Sequence, residues 1–354
     1  MKPDPILNAI SDHYKEKLPF VIYALPGENM VRGLFQKDNR HLQKTDSSES
    51  GFLLAPFNPD DPAYFMPASQ STILKGEFGK QKPEEKEFSL VVDYDDRADH
   101  IRKVTAAIDL IGNSELEKVV ISRKQEVNLN AFRIQDLCLS LFSEYQTAFR
   151  YLWYHPGTGI WCGATPELLL SVDGTAFKTM SLAGTRSIQK AGTPEWTDKE
   201  YMEQQLVTDA ILEELKPFSE TLRSSEIYTV KAGSIEHLRT DISGKLSSRE
   251  NLEDILKVLH PTPAVCGKPR DLAREFIRTI EGYNRLFYTG YLGPVNDINK
   301  KTALYVNLRC MSIQDNTAVL YTGGGITSGS NPEAEWTETC NKQQTMLKLL
   351  RQFL

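Results

Sequence analysis

Read for its alternation of apolar and polar positions, the chain is mainly a series of strand-like runs, with fewer stretches of helical period. Residues 5–17 and 96–112 are predicted to be helical. "LPFVIYALPGENMVRGLFQ" reads as two strands around a Pro-Gly turn, and "GFLLAPFNPDDPAYFMPAS" as another strand with turn punctuation. Residues 75–95 are polar enough to serve as a linker. From "LEKVVISRKQEVNL" onward strands dominate, beginning with "AFRYLWYHP", "GIWCGATPELLLSVDG" and "TAFKTMSLAGTR", each closed by Gly, Pro or Asp. Further strands are predicted in "EIYTVKAGSIEHLRTDISGKL", "RLFYTGYLGPV", "TALYVNLRCMSI" and "AVLYTGGGI". Helices are predicted over about 197–216, in "RDLAREFIRTIEGY" and from "NPEAEWTETCNK" to the end. Long strand runs with few helices between them predict an α+β fold on antiparallel sheets rather than a βαβ alternation.

Two of these helices run from acidic to apolar along one stripe. In the last, Asn331 and Pro332 have the form of an N-cap followed by proline at the first helical position. Glu335, Glu338, Lys342, Met346 and Leu349 then share a face. In "TPEWTDKEYMEQQLVTDAI", Glu200, Glu203, Val207 and Ile211 do the same. Acids near a helix N-terminus suit the helix dipole and can simply be solvated. Thr197 with Glu200 fits a capping box, which accounts for Glu200 but not for Glu203, a turn further in. If instead both stripes face inward, their carboxylates need protons or cations. An all-oxygen ligand set without a zinc-type motif suits Mg²⁺ or Ca²⁺.

Other positions carry two readings each. Lys118 begins "KVVISR" on the face of Val120 and Ser122. It is either an edge-strand lysine that blocks aggregation or a buried lysine whose charged form is disfavoured, as a general base requires. Glu167 in "ATPELLLS" is either a solvated strand-end acid or a general acid in apolar surroundings. Arg309, mid-strand in "YVNLRCMSI", is expected to meet a carboxylate, internal or from a substrate. The glycines of "YTGGGITSG" can offer N–H groups to an anion or simply make turns. His237 and His260 are lone histidines, each more in keeping with a structural role.

Composition narrows the partners more than the fold. The 354 residues are 40% hydrophobic and 25% charged, ordinary for a globular protein. A net charge of −6 without a basic block argues against nucleic acid. Five scattered cysteines without CxxC spacing argue for a reducing compartment and against zinc. The N-terminus lacks the apolar run of a signal peptide, and no segment approaches a transmembrane span, so a cytoplasmic protein without a membrane partner is expected. There is no Walker A motif and no HExxH.

Taken in order, "KVVISR", "GATPELLL", "LAGTR", "DKEYMEQQLVTDAI", "HPTPAVCGKP", "FYTGYLG", "YVNLRC", "YTGGGI" and "EAEWTETCNK" resemble the chorismate-utilising enzymes. That group includes isochorismate, salicylate, anthranilate and aminodeoxychorismate synthases. The resemblance implies one domain over 1–354, more variable over 1–95 and motif-bearing over 96–354. Its two large, mostly antiparallel sheets would be stacked, with helices outside. It also implies a monomer and chorismate as substrate. Glu203 and Glu338 match the family's Mg²⁺ ligands, with Glu200 and Glu335 on the metal's waters, which favours the inward reading of both helices. A histidine often follows the first metal glutamate, where this chain has Gln204. Lys118 matches the base that activates water and Glu167 the acid. Arg309 and Tyr288 match groups on the enolpyruvyl carboxylate, and Lys342, Gly323 and Gly325 lie near the substrate carboxylates. His237 matches the histidine at the ring site, and Gly184 and Thr185 the loop under the leaving hydroxyl.

Within the family, Ala183 stands where aminodeoxychorismate synthases carry a lysine nucleophile. Ala264 stands where salicylate and anthranilate synthases usually have the threonine associated with pyruvate loss. Ala264 beside Val265, with a length that lacks the longer N-terminal region of anthranilate synthase large subunits, is similar to isochorismate synthases. The alternatives are a salicylate synthase, an anthranilate synthase large subunit and a catalytically silent binding subunit. A silent subunit would be expected to lack Lys118, Glu167 or a metal glutamate.

Overall fold

The computed structural model describes residues 4–44, 48–78, 96–187, 195–232, 235–248, 252–297 and 300–354. The strands form two nine-stranded sheets, and every pairing described is antiparallel. In the first sheet Lys118–Asn128 lies between the short Gly267–Lys268 strand and Thr317–Ile326. The order then runs through Cys310–Gln314, Gly159–Thr165, Phe149–His155, Phe20–Ala24 and Met30–Gln36 to Ser71–Glu77. In the second, Ser219–Ser224, Ile235–Leu246, Ala176–Ser187, Leu168–Asp173, Lys301–Val306, Tyr291–Val295, Gly51–Ala55 and Tyr64–Pro67 follow one another. Tyr228–Ala232 adds to Ile235–Leu246.

Strand alternation distributes the core. Tyr305 points between the sheets, where its ring stacks on Phe149 of the other sheet at 4.2 Å. Its neighbour Leu304 points outward to Val207, Ile211 and Leu256. Val21, Phe52, Leu54, Trp153, Trp161 and Leu292 fill the same inter-sheet layer. Helices cover the outer faces because each presents an apolar stripe. Pro5–Glu16, Ile134–Glu144 and Pro332–Leu350 pack on the first sheet at one end, and Arg97–Gly112 and Arg270–Ile280 at the other. Asp198–Leu215 and Leu252–Leu259 pack on the second sheet.

The expected α+β class and stacked antiparallel sheets hold, with several local corrections. "GIWCGATPELLLSVDG" is two strands in different sheets, parted at Pro166 and Glu167. "GFLLAPFNPDDPAYFMPAS" and "TALYVNLRCMSI", each read as one strand, contain two. In "RLFYTGYLGPV" only Tyr291–Val295 is strand, because Leu286 and Thr289 take left-handed φ values of 53° and 60° and turn the chain. The helices Ile134–Glu144 and Leu252–Leu259 were not predicted, although their buried residues recur at helical spacing. Of the proposed linker, residues 75–77 belong to the strand Ser71–Glu77, and 79–95 lie outside the described residues.

Candidate active site

A cleft of about 920 Å³, counted out to its open mouth, lies where the Lys118 and glycine strands of the first sheet meet Leu182–Gly184 and His237 of the second. The first turns of the two acidic helices close it. Every residue given a catalytic, substrate or metal role by the resemblance lines this cleft except Thr185. Thr185 sits on the strand Ala176–Ser187, paired with His237, and its side chain lies outside the described residues.

The glycine run is not a turn but lies in the strand predicted in "AVLYTGGGI". It is the end of the strand Thr317–Ile326, with Gly323 opposite Ser122 and Gly325 opposite Val120. Its residue type is set by close approach. A Cβ on Gly325 would come within 2.6 Å of Glu203 Oε1 and 2.8 Å of Lys118 Cε. One on Gly324 would meet Glu335 Oε2 at 3.1 Å, and one on Gly323 would meet Tyr288 Oη at 3.0 Å. Missing side chains therefore let acids from both helices reach one strand. Gly184 acts similarly in the other sheet. It sits at a register shift with φ of 69°, its Cβ position 3.2 Å from Glu200 Cβ, and its carbonyl accepts from His237 Nδ1 at 3.0 Å.

Lys118 is not on a solvent edge. The Gly267–Lys268 strand covers it, and its side chain is 1% exposed with Nζ 2.9 Å from Glu203 Oε1. Glu338 Oε1 accepts from Lys342 Nζ at 2.6 Å, and the same ammonium donates to the Gly323 carbonyl at 2.9 Å. Glu335 Oε1 accepts from Ser330 at 2.7 Å. Glu200 accepts from the Thr197 N–H at 2.9 Å, completing the capping box, and it also lines the cleft.

Glu167 is buried between two strands, contrary to the solvated strand-end reading. Burial pushes its pKa up to about 8, against the lowering pull of Lys118 and Lys342. His237 is held down to about 3, first by burial and then by Arg309 and Lys342, so it is neutral at physiological pH. Because a carbonyl only accepts, its Nδ1 carries the proton and its Nε2 does not. Burial likewise lowers Arg309 to about 10, which leaves it charged. Tyr288 is raised by burial and stays a neutral phenol.

Arg309 corrects one expectation. It is not mid-strand but precedes Cys310–Gln314 with φ of 48°, and its Nη1 donates to Thr345 Oγ1 at 3.1 Å. Its carbonyl also sits 2.9 Å from a Cβ position on Gly163. Thr345, on the Lys342 helix, was not anticipated, and no pattern in the sequence marks it. His260 behaves as a structural histidine outside the cleft, its Nε2 3.2 Å from the Pro56 carbonyl. Gln204 is fully buried and donates to Ser181 Oγ at 2.8 Å, tying the Glu203 helix to the Gly184 strand.

The donor set fits a hard divalent cation. Glu200, Glu203, Glu335 and Glu338 offer only oxygen, and a strand without Cβ atoms backs two of them. Among the described residues no three acids, histidines or cysteines are grouped closely enough to hold a metal without movement, since Lys118, Lys342, Ser330 and Thr197 engage these carboxylates.

Fold and cleft together define an α+β sandwich whose site places a buried lysine, a carboxyl with a raised pKa and four further glutamates around one cleft. The chain belongs to the family described as chorismate binding enzymes, whose model matches residues 63–351. It is 37% identical over 198 residues to the isochorismate synthase DhbC of Bacillus subtilis, covering 53% of this chain and 50% of that protein. It is 31% identical over 261 residues to the isochorismate synthase EntC of Escherichia coli, covering 70% of this chain and 65% of that protein. The chain thus spans less than two thirds of the length of these relatives. The structure of MenF, the menaquinone-specific isochorismate synthase of Escherichia coli, superposes with a TM-score of 0.80 over 99% of this chain and 92% of that one, and at 22% identity this is a likeness of fold.

Proposed function

We propose that the protein is an isochorismate synthase, a Mg²⁺-dependent isomerase that converts chorismate to isochorismate. One observation carries this reading: the buried Lys118 and the Glu167 carboxyl, raised to about 8, line the same cleft. The two most similar relatives reported above bear the same activity in their names. The chain acts as one catalytic domain, since strands from 20–36 and 71–77 complete the first sheet and strands from 51–67 the second. It works as a cytoplasmic monomer. Among the described residues no helix is long and apolar enough to cross a membrane.

The chain's own groups account for the proton movements. Lys118, released from Glu203 and acting as the neutral amine, takes a proton from the water that adds at C2. Glu167 gives its proton to the hydroxyl leaving C4, which departs as water as the ring double bonds shift. One water enters and one leaves, so the reaction is an isomerisation. Arg309 and Tyr288 hold the enolpyruvyl carboxylate, and Lys342 and the N–H groups around Gly323 and Gly325 lie at the carboxylate end. Neutral His237 lines the ring, and Gly184 and Thr185 lie beneath the leaving hydroxyl. Glu203 and Glu338 would hold Mg²⁺, with Glu200 and Glu335 reaching it through water, and the ion would supply electron withdrawal at the ring carboxylate. Ala264 leaves the cleft without a hydroxyl at that position, which disfavours the later loss of pyruvate.

The test is incubation of the purified protein with chorismate and Mg²⁺, following isochorismate by chromatography and pyruvate by a coupled assay. Isochorismate without pyruvate is expected. Stoichiometric pyruvate with salicylate makes the protein a salicylate synthase, and no turnover by folded protein makes it a silent binding subunit.

A further inference from the structure

Behind the cleft, and not lining it, lies a buried ion pair whose side chains are 1% (Arg285) and 0% (Glu281) exposed. Arg285 spends every N–H it has. Nε donates to Glu281 Oε2 at 2.8 Å and Nη2 to Oε1 at 2.5 Å. The remaining donors go to three other segments: Nη2 to the Val120 carbonyl at 2.7 Å, and Nη1 to the Val265 carbonyl at 2.9 Å and Thr289 Oγ1 at 3.4 Å. Glu281 Oε1 accepts in turn from Ser122 N and Oγ at 2.7 and 2.8 Å.

Those segments are three walls of the cleft, and Val120, Val265 and Thr289 all line it. Each carries a residue assigned to the reaction: Lys118 two residues before Val120, Ala264 next to Val265, and Tyr288 next to Thr289. Thr289 is held at a left-handed φ of 60°, a backbone conformation that needs outside support. Stability alone does not require this pair, because apolar side chains of similar volume generally replace a buried ion pair without loss. An apolar pair cannot bind two carbonyls, a hydroxyl and an amide on separate segments.

We propose that Arg285, oriented by Glu281, is a positioning residue for catalysis: it fixes the Lys118 strand, the Ala264 loop and the Tyr288 turn in one register around the substrate. The proposal rests on the isochorismate synthase reading for its kinetic consequence, while its structural content is independent of that reading.

The test uses the double variant Glu281→Leu/Arg285→Met and the single variant Arg285→Lys, which keeps the charge but not the fork. Both are compared with wild type for melting temperature, chorismate kinetics and amide hydrogen exchange. The double variant is expected to melt below wild type, because it leaves the Val120 and Val265 carbonyls and the Ser122 N–H without these partners, so all measures are taken below its transition. Its kcat should fall by about 10–100-fold while KM stays within about threefold, the mark of reacting groups displaced after binding. Exchange should quicken at least about tenfold at Val120, Cys266 and Tyr288 and stay unchanged in Phe149–His155. If the double variant does not fold, Arg285→Lys is read by the same measures, with the same expectations. Wild-type kcat per folded molecule, or unchanged exchange at those three amides, overturns the proposal. If wild type itself fails to turn over chorismate with Mg²⁺, the functional reading falls, and exchange alone decides the positioning role.

Discussion

The helices Asp198–Leu215 and Pro332–Leu350 present the same face to the cleft by different means. Each begins with a polar cap, turns two glutamates of its first turns to the cleft and ends apolar against a core layer. Each also has one glutamate neutralised by a lysine. For Glu338 the partner is Lys342, one turn along the same helix, whereas for Glu203 it is Lys118, on a strand of the sheet opposite. The first pair is a local feature of one helix. The second exists only once the two sheets are stacked. The lysine given a chemical role is the one in the non-local pair, where burial is nearly complete and folding alone brings acid and base together.

Removing the lysines separates these cases most strongly. Lys118→Ala should lower kcat by about 10³-fold or more while metal-dependent chorismate binding stays measurable by calorimetry. Lys342→Ala should act mainly on KM. Near-normal turnover of Lys118→Ala would remove it as the base.

Glu167→Gln should cost about 10²–10³-fold in kcat and abolish the alkaline limb of the pH profile. In wild type, activity should fall as pH rises through about 8, because the acid must be protonated. The stability effect has a definite sign. The folded carboxyl binds its proton more tightly than the unfolded one, whose pKa is 4.5, so this group costs stability increasingly between that value and about 8. The melting temperature of Glu167→Gln should therefore gain on wild type across that window. A pH-independent difference would refute the buried acid.

The glutamates sharpen the contrast further. Glu338→Gln is expected to raise the Mg²⁺ needed for half-maximal activity by about 10–100-fold with little change in melting. Glu203→Gln should raise it similarly and also cost about 3–5 kcal/mol of stability, because it strands the Lys118 charge in the interior. Equal melting of the two variants would show that the pairs are equivalent after all. The smallest effect falls on the caps. Asn331, whose side chain accepts from Glu333 N and Ala334 N, should cost about 1 kcal/mol when changed to alanine, measured by denaturant melts.

Legibility followed the range of the interaction. Both acidic stripes, the Thr197–Glu200 box and the Asn331 cap were readable because a helix relates residues three and four apart. The ordered motifs carried the family and, with it, the inward reading of the glutamates. The strand in "AVLYTGGGI" was legible but the reason for its glycines was not, and Arg309 was expected mid-strand. What determines the run is a carboxylate arriving from another helix, and Arg309 lies outside the strand in a left-handed conformation. Nothing along the chain marks Arg285 as a hub, since its partners come from residues 120, 265, 281 and 289.

By itself the sequence determined the class of fold, the helix faces and caps, and the acidic and basic residues available for chemistry, because periodicity and turn preferences act within a few residues. Only the tertiary structure decided which lysine meets which glutamate, that Glu167 is buried enough to keep its proton, and that glycines clear the way for the acids. Those outcomes depend on distance and desolvation between segments far apart in the chain, which no local pattern encodes.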